Sequence, residues 1–334
     1  MFIVSHSGIA ILFCVITMVG WGSWANTQKL AGKESWPFEL YYWDYAVGVA
    51  FLGIVFCATL GSFGSVGTAA LNNLHSLSAG PVWRAMGSGA LFNVSNILLV
   101  IAIDAAGLAL AFPVGVGLAL VIGTIVSYYD APKGNPLLIG SGVLLIIFAM
   151  VMSTLANRRV GGQHNVRTTR GLLFAFAAGC LMGLFYPQLM LSISRDFNRS
   201  PIQHGYLTPY TALLFFGLGL LVSNVFVNTL FMRSQGSTFR QYLAAKPRLH
   251  WFGILGGAIW MLALGMNVIA SGVAGPAVSY ALGQGATLVA ALWGVFVWKE
   301  FHGATFGTRL LVVLMLAGYS AGLILIGSAM MPSS

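Results

Sequence analysis

The sequence predicts an all-α membrane protein with ten transmembrane helices arranged as two inverted five-helix repeats. Three observations predict it. Ten apolar stretches follow one another through the 334 residues, each about twenty residues long and so able to cross a bilayer core as a helix. Only 7% of the residues are charged and 58% are hydrophobic, with mean hydropathy +0.86; a soluble domain covers its surface with about a quarter charged residues. A glycine-centred pattern also occurs twice. Ala106-Gly107-Leu108-Ala109-Leu110-Ala111-Phe112-Pro113-Val114-Gly115-Val116-Gly117 lines up, 168 positions later, with Ala274-Gly275-Pro276-Ala277-Val278-Ser279-Tyr280-Ala281-Leu282-Gly283-Gln284-Gly285. Trp83 and Trp251, Gly89 and Gly257, and Ala102 and Ala270 share that spacing. Long continuous apolar runs without alternation demand helices, whose backbone groups are satisfied internally, rather than a barrel.

The spans expected are 7–28, 38–60, 82–104, 106–128, 135–157, 171–192, 207–232, 251–272, 275–298 and 308–330. The first could pass for a signal peptide ending near Ser23-Trp24-Ala25, but it lacks a basic start and its apolar run is too long. The second carries Asp44 within Tyr41-Tyr42-Trp43-Asp44-Tyr45. The link 61–81 is rich in Gly, Ser and Asn and uncharged, which fits a surface loop or a short interfacial helix. The third span carries Asn93 and Asn96, and the fourth carries Pro113, Gly115 and Gly117. A basic link, 158–170, holds Arg158, Arg159, Arg167 and Arg170, and divides a first repeat (1–157) from a second (171–334). In the second repeat, Gln188 follows Tyr186-Pro187, Asn224 and Asn228 share a face of the seventh span, and Asn267 lies in the eighth. Ser279, Tyr280, Gly283, Gln284 and Gly285 fall in the ninth.

Links after odd-numbered spans hold twelve Lys and Arg residues, and the other side holds four. The positive-inside rule then puts both termini outside and the central link in the cytoplasm, with a bacterial inner membrane the expected location. The net charge of +9 is therefore a topology signal rather than a nucleic-acid footprint. Cys14, Cys57 and Cys180 lie in apolar spans without a CxxC pair, so neither disulfide nor metal is indicated. No HExxH, GxSxG or Walker A pattern occurs, so neither an enzyme nor a cofactor is expected.

Asp44 is the strongest single candidate for chemistry. Placed about 12 Å along a helix, an ionised carboxylate costs at least ~2.5 kcal/mol unless paired or hydrated. It suits a group that takes up and releases a proton, or a structural carboxylate bonded to Tyr or Trp. Glu39, Asp104, Asp130 and Glu300 sit near span ends, where solvated charges explain them, and Lys299-Glu300 reads as a local surface pair. Asn93, Asn96, Gln188, Asn267, Tyr280 and Gln284 are intramembrane polar groups that bridge helices or hydrogen-bond a neutral solute. Asn224 and Asn228 read as helix bridges. Trp21, Trp24 and Trp260 suit stacking on a flat ligand or anchoring at the interface. Gly115, Gly117, Gly283 and Gly285 allow close helix packing or leave room beside a ligand.

Tyr42-Trp43-Asp44-Tyr45, Asn96, Ala106-Gly107-Leu108-Ala109, Val121-Ile122-Gly123-Thr124 and Tyr128-Tyr129-Asp130 together resemble motifs of the ureide permease family, within the drug/metabolite transporter superfamily. The rhamnose and glucose/ribose uptake families are similar in topology. The resemblance implies proton-coupled uptake of small neutral polar compounds such as allantoin, uracil and other oxo-purines or pyrimidines. Asp44 would then be the proton-coupling carboxylate. Plant members carry a long central cytoplasmic segment, which this chain lacks.

The expected function is secondary active import of a small neutral polar metabolite, ureide- or nucleobase-like, with protons and the bilayer as its other partners and no nucleic acid. Trp21, Trp24, Asn93, Asn96, Gln188, Asn267, Tyr280 and Gln284 would bind the substrate. Sugar or nucleoside uptake is the alternative. Multidrug export and solute sensing without transport rank lower.

Overall fold

A computed structural model of the chain describes residues 1–64, 66–106, 108–160, 168–198 and 200–329. It is helical almost throughout: α1 Ser7–Ser23, α2 Ala25–Lys33, α3 Phe38–Ala58, α4 Ala70–Asn73, α5 Ala79–Ala106, α6 Leu108–Asp130, α7 Pro136–Val160, α8 Thr168–Met190, α9 Pro209–Ser234, α10 Phe239–Leu243, α11 Pro247–Ala274, α12 Pro276–Gly283, α13 Ala286–Leu292 and α14 Phe306–Ser328. Among the described residues, ten candidate spans are long and apolar enough to cross a membrane, with α1–α2 acting as the first and α12–α13 as the ninth. The protein is an all-α integral membrane protein. Gly107 of the repeated pattern and most of the basic link 158–170 lie outside the described residues.

Local chemistry sets the helix boundaries. Pro209, Pro247 and Pro276 stand in the first turn of α9, α11 and α12, where a missing N–H leaves no bond unmade. Thr208 and Thr211 close a capping box on α9, and Thr238 and Gln241 close one on α10. Gly275, at φ 83°, turns the chain sharply between α11 and α12. The ninth span is not one helix: α12 ends at Gly283, α13 begins at Ala286, and a π-helical turn runs over Trp293–Val297. The link 61–81 contains both turns and the short helix α4.

Span two packs on spans seven and eight, and span three on six and seven. Span one packs on eight and nine, four on six, and five on ten. Glycine lets α3 and α11 come close, because a Cβ at Gly257 would strike the Tyr45 carbonyl and one at Gly253 would strike Asp44.

The two ends of the bundle differ. At the end bearing the N-terminus the links are knitted together. The Met1 amine donates to the Val66 carbonyl at 2.9 Å, Ser78 N–H to Gly205 O at 3.0 Å, and Ser194 N–H to Leu207 O at 2.9 Å. Asn73 accepts from Thr208 N–H and from the Thr211 hydroxyl. Arg84 reaches Leu191 O, and Lys133 reaches Gly272 O. At the other end, the helices part around a cavity.

Candidate functional site

The cavity has a volume of about 400 Å³, within the ~300–1,000 Å³ range of small-molecule sites. It runs from an aromatic floor at mid-bundle to a mouth flanked by Lys29, Asn157 and Glu300. Trp260 forms the floor with Phe92, 4.1 Å away between ring centres, and with Phe185 at 6.2 Å. Trp21 stacks on Trp260 at 5.9 Å, and its indole N–H donates to the Trp260 carbonyl at 3.2 Å. That bond fixes the ring plane, so the wall is pre-set. Trp24 lines the cavity one turn nearer the mouth and leans on Tyr45 at 5.1 Å.

Polar groups interrupt the aromatic wall at few places. Asn96 is 6% exposed and contributes to the cavity lining, while its Nδ2 is buried without a hydrogen-bond partner. An unpaired buried amide costs about 1–3 kcal/mol, and the Tyr42 hydroxyl, itself without a partner, stands beside it. Thr154 donates its hydroxyl back to Met150 O of its own helix, and Thr287 donates to Gln284 O in the break before α13, which leaves their oxygens as acceptors along the wall. Gln284 lines the cavity where α12 gives way to α13. Ser153 and Asn157 continue the polar strip towards the mouth.

The mouth carries charge, but in balance. Lys29 Nζ lies 2.6 Å from Glu300 Oε1 and 4.3 Å from the Trp298 ring. Trp298 donates to Asn26 Oδ1 at 2.7 Å, and Trp293 donates to Ser23 Oγ at 2.9 Å. Glu300 therefore pairs across the mouth with Lys29 of the first span. The expected local pair with Lys299 is not what forms, because Lys299 stands at φ 54°, where the chain reverses.

Of the residues singled out in sequence, the cavity gathers Trp21, Trp24, Asn96, Gln284 and Trp260. Pro113 and, at the mouth, Glu300 also line it, and the remaining candidates lie outside its lining. Asn93 is fully buried and donates to Ser223 Oγ of α9 at 2.9 Å. Three residues along a helix turn through 300°, so Asn93 and Asn96 stand about 60° apart, enough to send them to different neighbours. Asn267 donates to Ser279 O at 2.7 Å. Tyr280 stacks on Tyr186 at 4.9 Å and donates to Ala119 O. Gln188 is half-buried in α8. Gly115, Gly283 and Gly285 sit in close packing, since a Cβ would lie 2.7 Å from Leu99, 2.7 Å from Trp21 and 2.5 Å from Met18 respectively. At Gly117 the nearest atom would be Met150 Sδ at 3.5 Å, which is ordinary contact. Asn228 bridges helices by donating to Glu39 O. Glu39 is not a solvated end charge: it is 7% exposed and accepts from Ser237 at 2.5 Å.

Asp44 lies outside the cavity in a second polar cluster. It is 3% exposed and stands six residues into α3. Tyr242 of α10 donates to its Oδ1 at 2.6 Å, and His250 Nδ1 sits 3.1 and 2.9 Å from its two oxygens. Trp36 packs on both Tyr242 and His250. Burial, together with the Asp44 carboxylate, pushes the Tyr242 hydroxyl well above its ordinary pKa, which keeps it a donor. Sequence reading missed both partners. His250 falls just before the apolar run, although its helix starts at Pro247, and Tyr242 lies in a charged link.

The ureide permease family model matches residues 148–328. The chain belongs to the ureide permease family. That match covers the second half and the end of span five, whereas the motifs quoted from the sequence lie mainly in residues 40–130. Similarity to two plant relatives covers both halves. Ureide permease 2 of Arabidopsis thaliana is 21% identical over 95% of this chain and 96% of its own, and ureide permease 1 of the same plant is 20% identical over 95% of each. A crystal structure of another protein superposes with TM-score 0.61 at 18% identity, covering 96% of this chain and 98% of that one. That likeness is one of fold. As a member of a permease family, the chain is a transporter and not an enzyme.

Proposed function

We propose that the chain moves a small, flat, neutral polar solute of the ureide or nucleobase class through this cavity, coupled to protons at Asp44. An aromatic-walled cavity of about 400 Å³ with the amides of Asn96 and Gln284 among its lining residues carries the reading. Flat rings of amide character present a face for Trp21 and Trp260 and an edge of carbonyls and N–H groups for Asn96, Gln284 and the threonine oxygens. The only charges among the described lining residues, Lys29 and Glu300, neutralise each other, so the wall offers no net charge to an ion. The names of the plant relatives point to the same solute class.

The fold supports alternating access between two five-helix halves, 1–157 and 171–334, joined by the 158–170 link. Exchanging each span with the one five places on turns the packing pairs into one another: three on six becomes eight on one, two on eight becomes seven on three, and four on six becomes nine on one. Halves related in this way rock about a site between them. The basic links lie at the mouth end, so the positive-inside rule makes this conformation inward-facing, with both termini outside. This architecture is the one attributed to the drug/metabolite transporter superfamily.

The test is uptake of labelled allantoin by cells expressing the chain, with a protonophore and with excess unlabelled uracil or rhamnose. Protonophore-sensitive uptake blocked by uracil but not by rhamnose is the expected result. Absence of allantoin uptake by protein present in the membrane, or competition by rhamnose alone, overturns the solute class.

A further inference from the structure

We infer that the proton-carrying group is His250, with Asp44 as its fixed counter-charge and Tyr242 as the donor that keeps Asp44 ionised. This rests on the proton-coupled reading above and moves the exchangeable proton from the carboxylate to an imidazole that the sequence did not single out.

The geometry is that of a carboxylate engaged by two donors. The tyrosine hydroxyl donates to Oδ1 at 2.6 Å, and the imidazole Nδ1 lies 3.1 Å from Oδ1 and 2.9 Å from Oδ2. A nitrogen shared between both oxygens is placed for an Nδ1–H that donates to both. A protonated carboxyl would donate from one oxygen only. Two donors stabilise the charged form of the carboxylate against the cost of its burial. The Asp44 side chain is 4% exposed and that of His250 is 24% exposed. With Nδ1 committed to Asp44, Nε2 is the nitrogen left to exchange with water, and a carboxylate on one imidazole nitrogen sets the tautomer of the other. The balance is simple. Water at the mouth end delivers a proton to Nε2. Imidazole becomes imidazolium, and the pair passes from net −1 to net 0 without a proton crossing to Asp44.

The surroundings favour this pair as the site of charge change. From α3, Tyr41 faces it, but its hydroxyl is engaged with Thr27 at 2.7 Å. From α10 comes Tyr242. From the link before α3, Trp36 packs edge-on against the imidazole at 5.9 Å. Arg248, two residues before His250, pairs with Glu34 at 3.5 Å. No further charged group is given to the cluster among the described residues.

The pair also lies where a charge change can act. Asp44 belongs to span two, and Tyr242 and His250 to span eight and the link before it, so the contact ties the first five spans to the last five. Next to Asp44, Tyr45 carries the Trp24 ring that lines the cavity. A change in the attraction between α3 and α11 therefore reaches the solute site through one ring contact.

The test uses purified protein in liposomes and two readouts for each variant: exchange of labelled allantoin at equal pH, and accumulation of allantoin driven by an inward acid gradient. Parent protein is expected to do both. H250Q is expected to keep exchange within a few-fold and lose accumulation at least tenfold. Y242F is expected to keep exchange and to displace the pH profile of accumulation, because the carboxylate loses a donor that stabilises its charged form. Exchange by H250Q serves as the folding control. Full accumulation by H250Q overturns the assignment and leaves Asp44 as the coupling group. If parent protein exchanges allantoin but does not accumulate it, the coupling reading fails and this assignment falls with it. If Y242F matches parent in its whole pH profile, the role given to Tyr242 is overturned.

Discussion

Replacing Gly283 by alanine puts a methyl group where three atoms already stand. Its Cβ would lie 2.7 Å from Trp21 Cζ3, 2.9 Å from Asn267 Nδ2 and 3.1 Å from Thr17 Cγ2, against an optimum carbon separation of about 3.5–4.0 Å. None of the three yields freely. Trp21 is held by its bond to Trp260 O, Asn267 by its 2.7 Å bond to Ser279 O, and Thr17 by bonds to Phe13 O and Ala263 O. Overpacking of this kind costs about 1–3 kcal/mol, and the better helix propensity of alanine returns up to about 1 kcal/mol. The net is about 1 kcal/mol of destabilisation, or a fall of about 1–2 °C in Tm. Relief comes most directly by moving the Trp21 ring, so KM for allantoin should rise as well. Gly117→Ala is the control. Its Cβ would meet only Met150 Sδ at 3.5 Å, so Tm should hold or rise and KM should stay. Thermal unfolding of both variants in detergent, with uptake kinetics in liposomes, decides the matter. Equal Tm and KM for G283A and parent, or a larger loss for G117A, refutes the packing argument.

Three further outcomes follow from the geometry. E300Q should leave Tm close to parent, since an exposed pair contributes at most about 1 kcal/mol. It should also strengthen inhibition by an anionic analogue such as orotate about 2–5-fold relative to uracil, because Lys29 loses its partner; unchanged inhibition removes the charge-balance argument. The raised pKa of Tyr242 means the folded state holds its proton more tightly than the unfolded chain, so that stability is present below the ordinary tyrosine value of about 10 and is lost as pH rises through the folded value. Y242F should therefore show a shallower alkaline loss of Tm than parent, and an identical slope contradicts the shift. N228A removes the donor to Glu39 O and should lower Tm while leaving KM for allantoin unchanged, because the residue lies outside the cavity; an altered KM would place it in the site.

The ten spans were legible because lipid as solvent leaves a plain mark on sequence: a helix must be apolar for its whole length. Their ends agree with Phe38–Ala58, Pro136–Val160 and Phe306–Ser328 to within a few residues. Trp21, Trp24, Asn96 and Gln284 were legible as intramembrane aromatics and amides. Their separation from Asn93, Asn267 and Tyr280 was not, because residue type does not say which neighbour a helix face meets. The Ser153, Thr154 and Asn157 strip was missed although its near-helical spacing at one end of span five was a usable signal. Trp293 and Trp298 were missed because the π-helical turn that aims them is not written in hydropathy. Asp44 stood out as a lone carboxylate. Its partners come from a link and a helix start about 200 positions away, and one sequence without relatives carries no record of that pairing. The Lys29–Glu300 pair was hidden for the same reason behind the adjacent Lys299.

The central claim is that the cavity of Asn96 is the solute site, and saturable uptake of labelled allantoin into liposomes by N96L tests it most directly. Leucine fills a similar volume and removes the unpaired amide, so the fold should keep or gain stability. The account predicts a parental or higher Tm and at least a tenfold loss in uptake kcat/KM. Parental uptake by a stable N96L would contradict it.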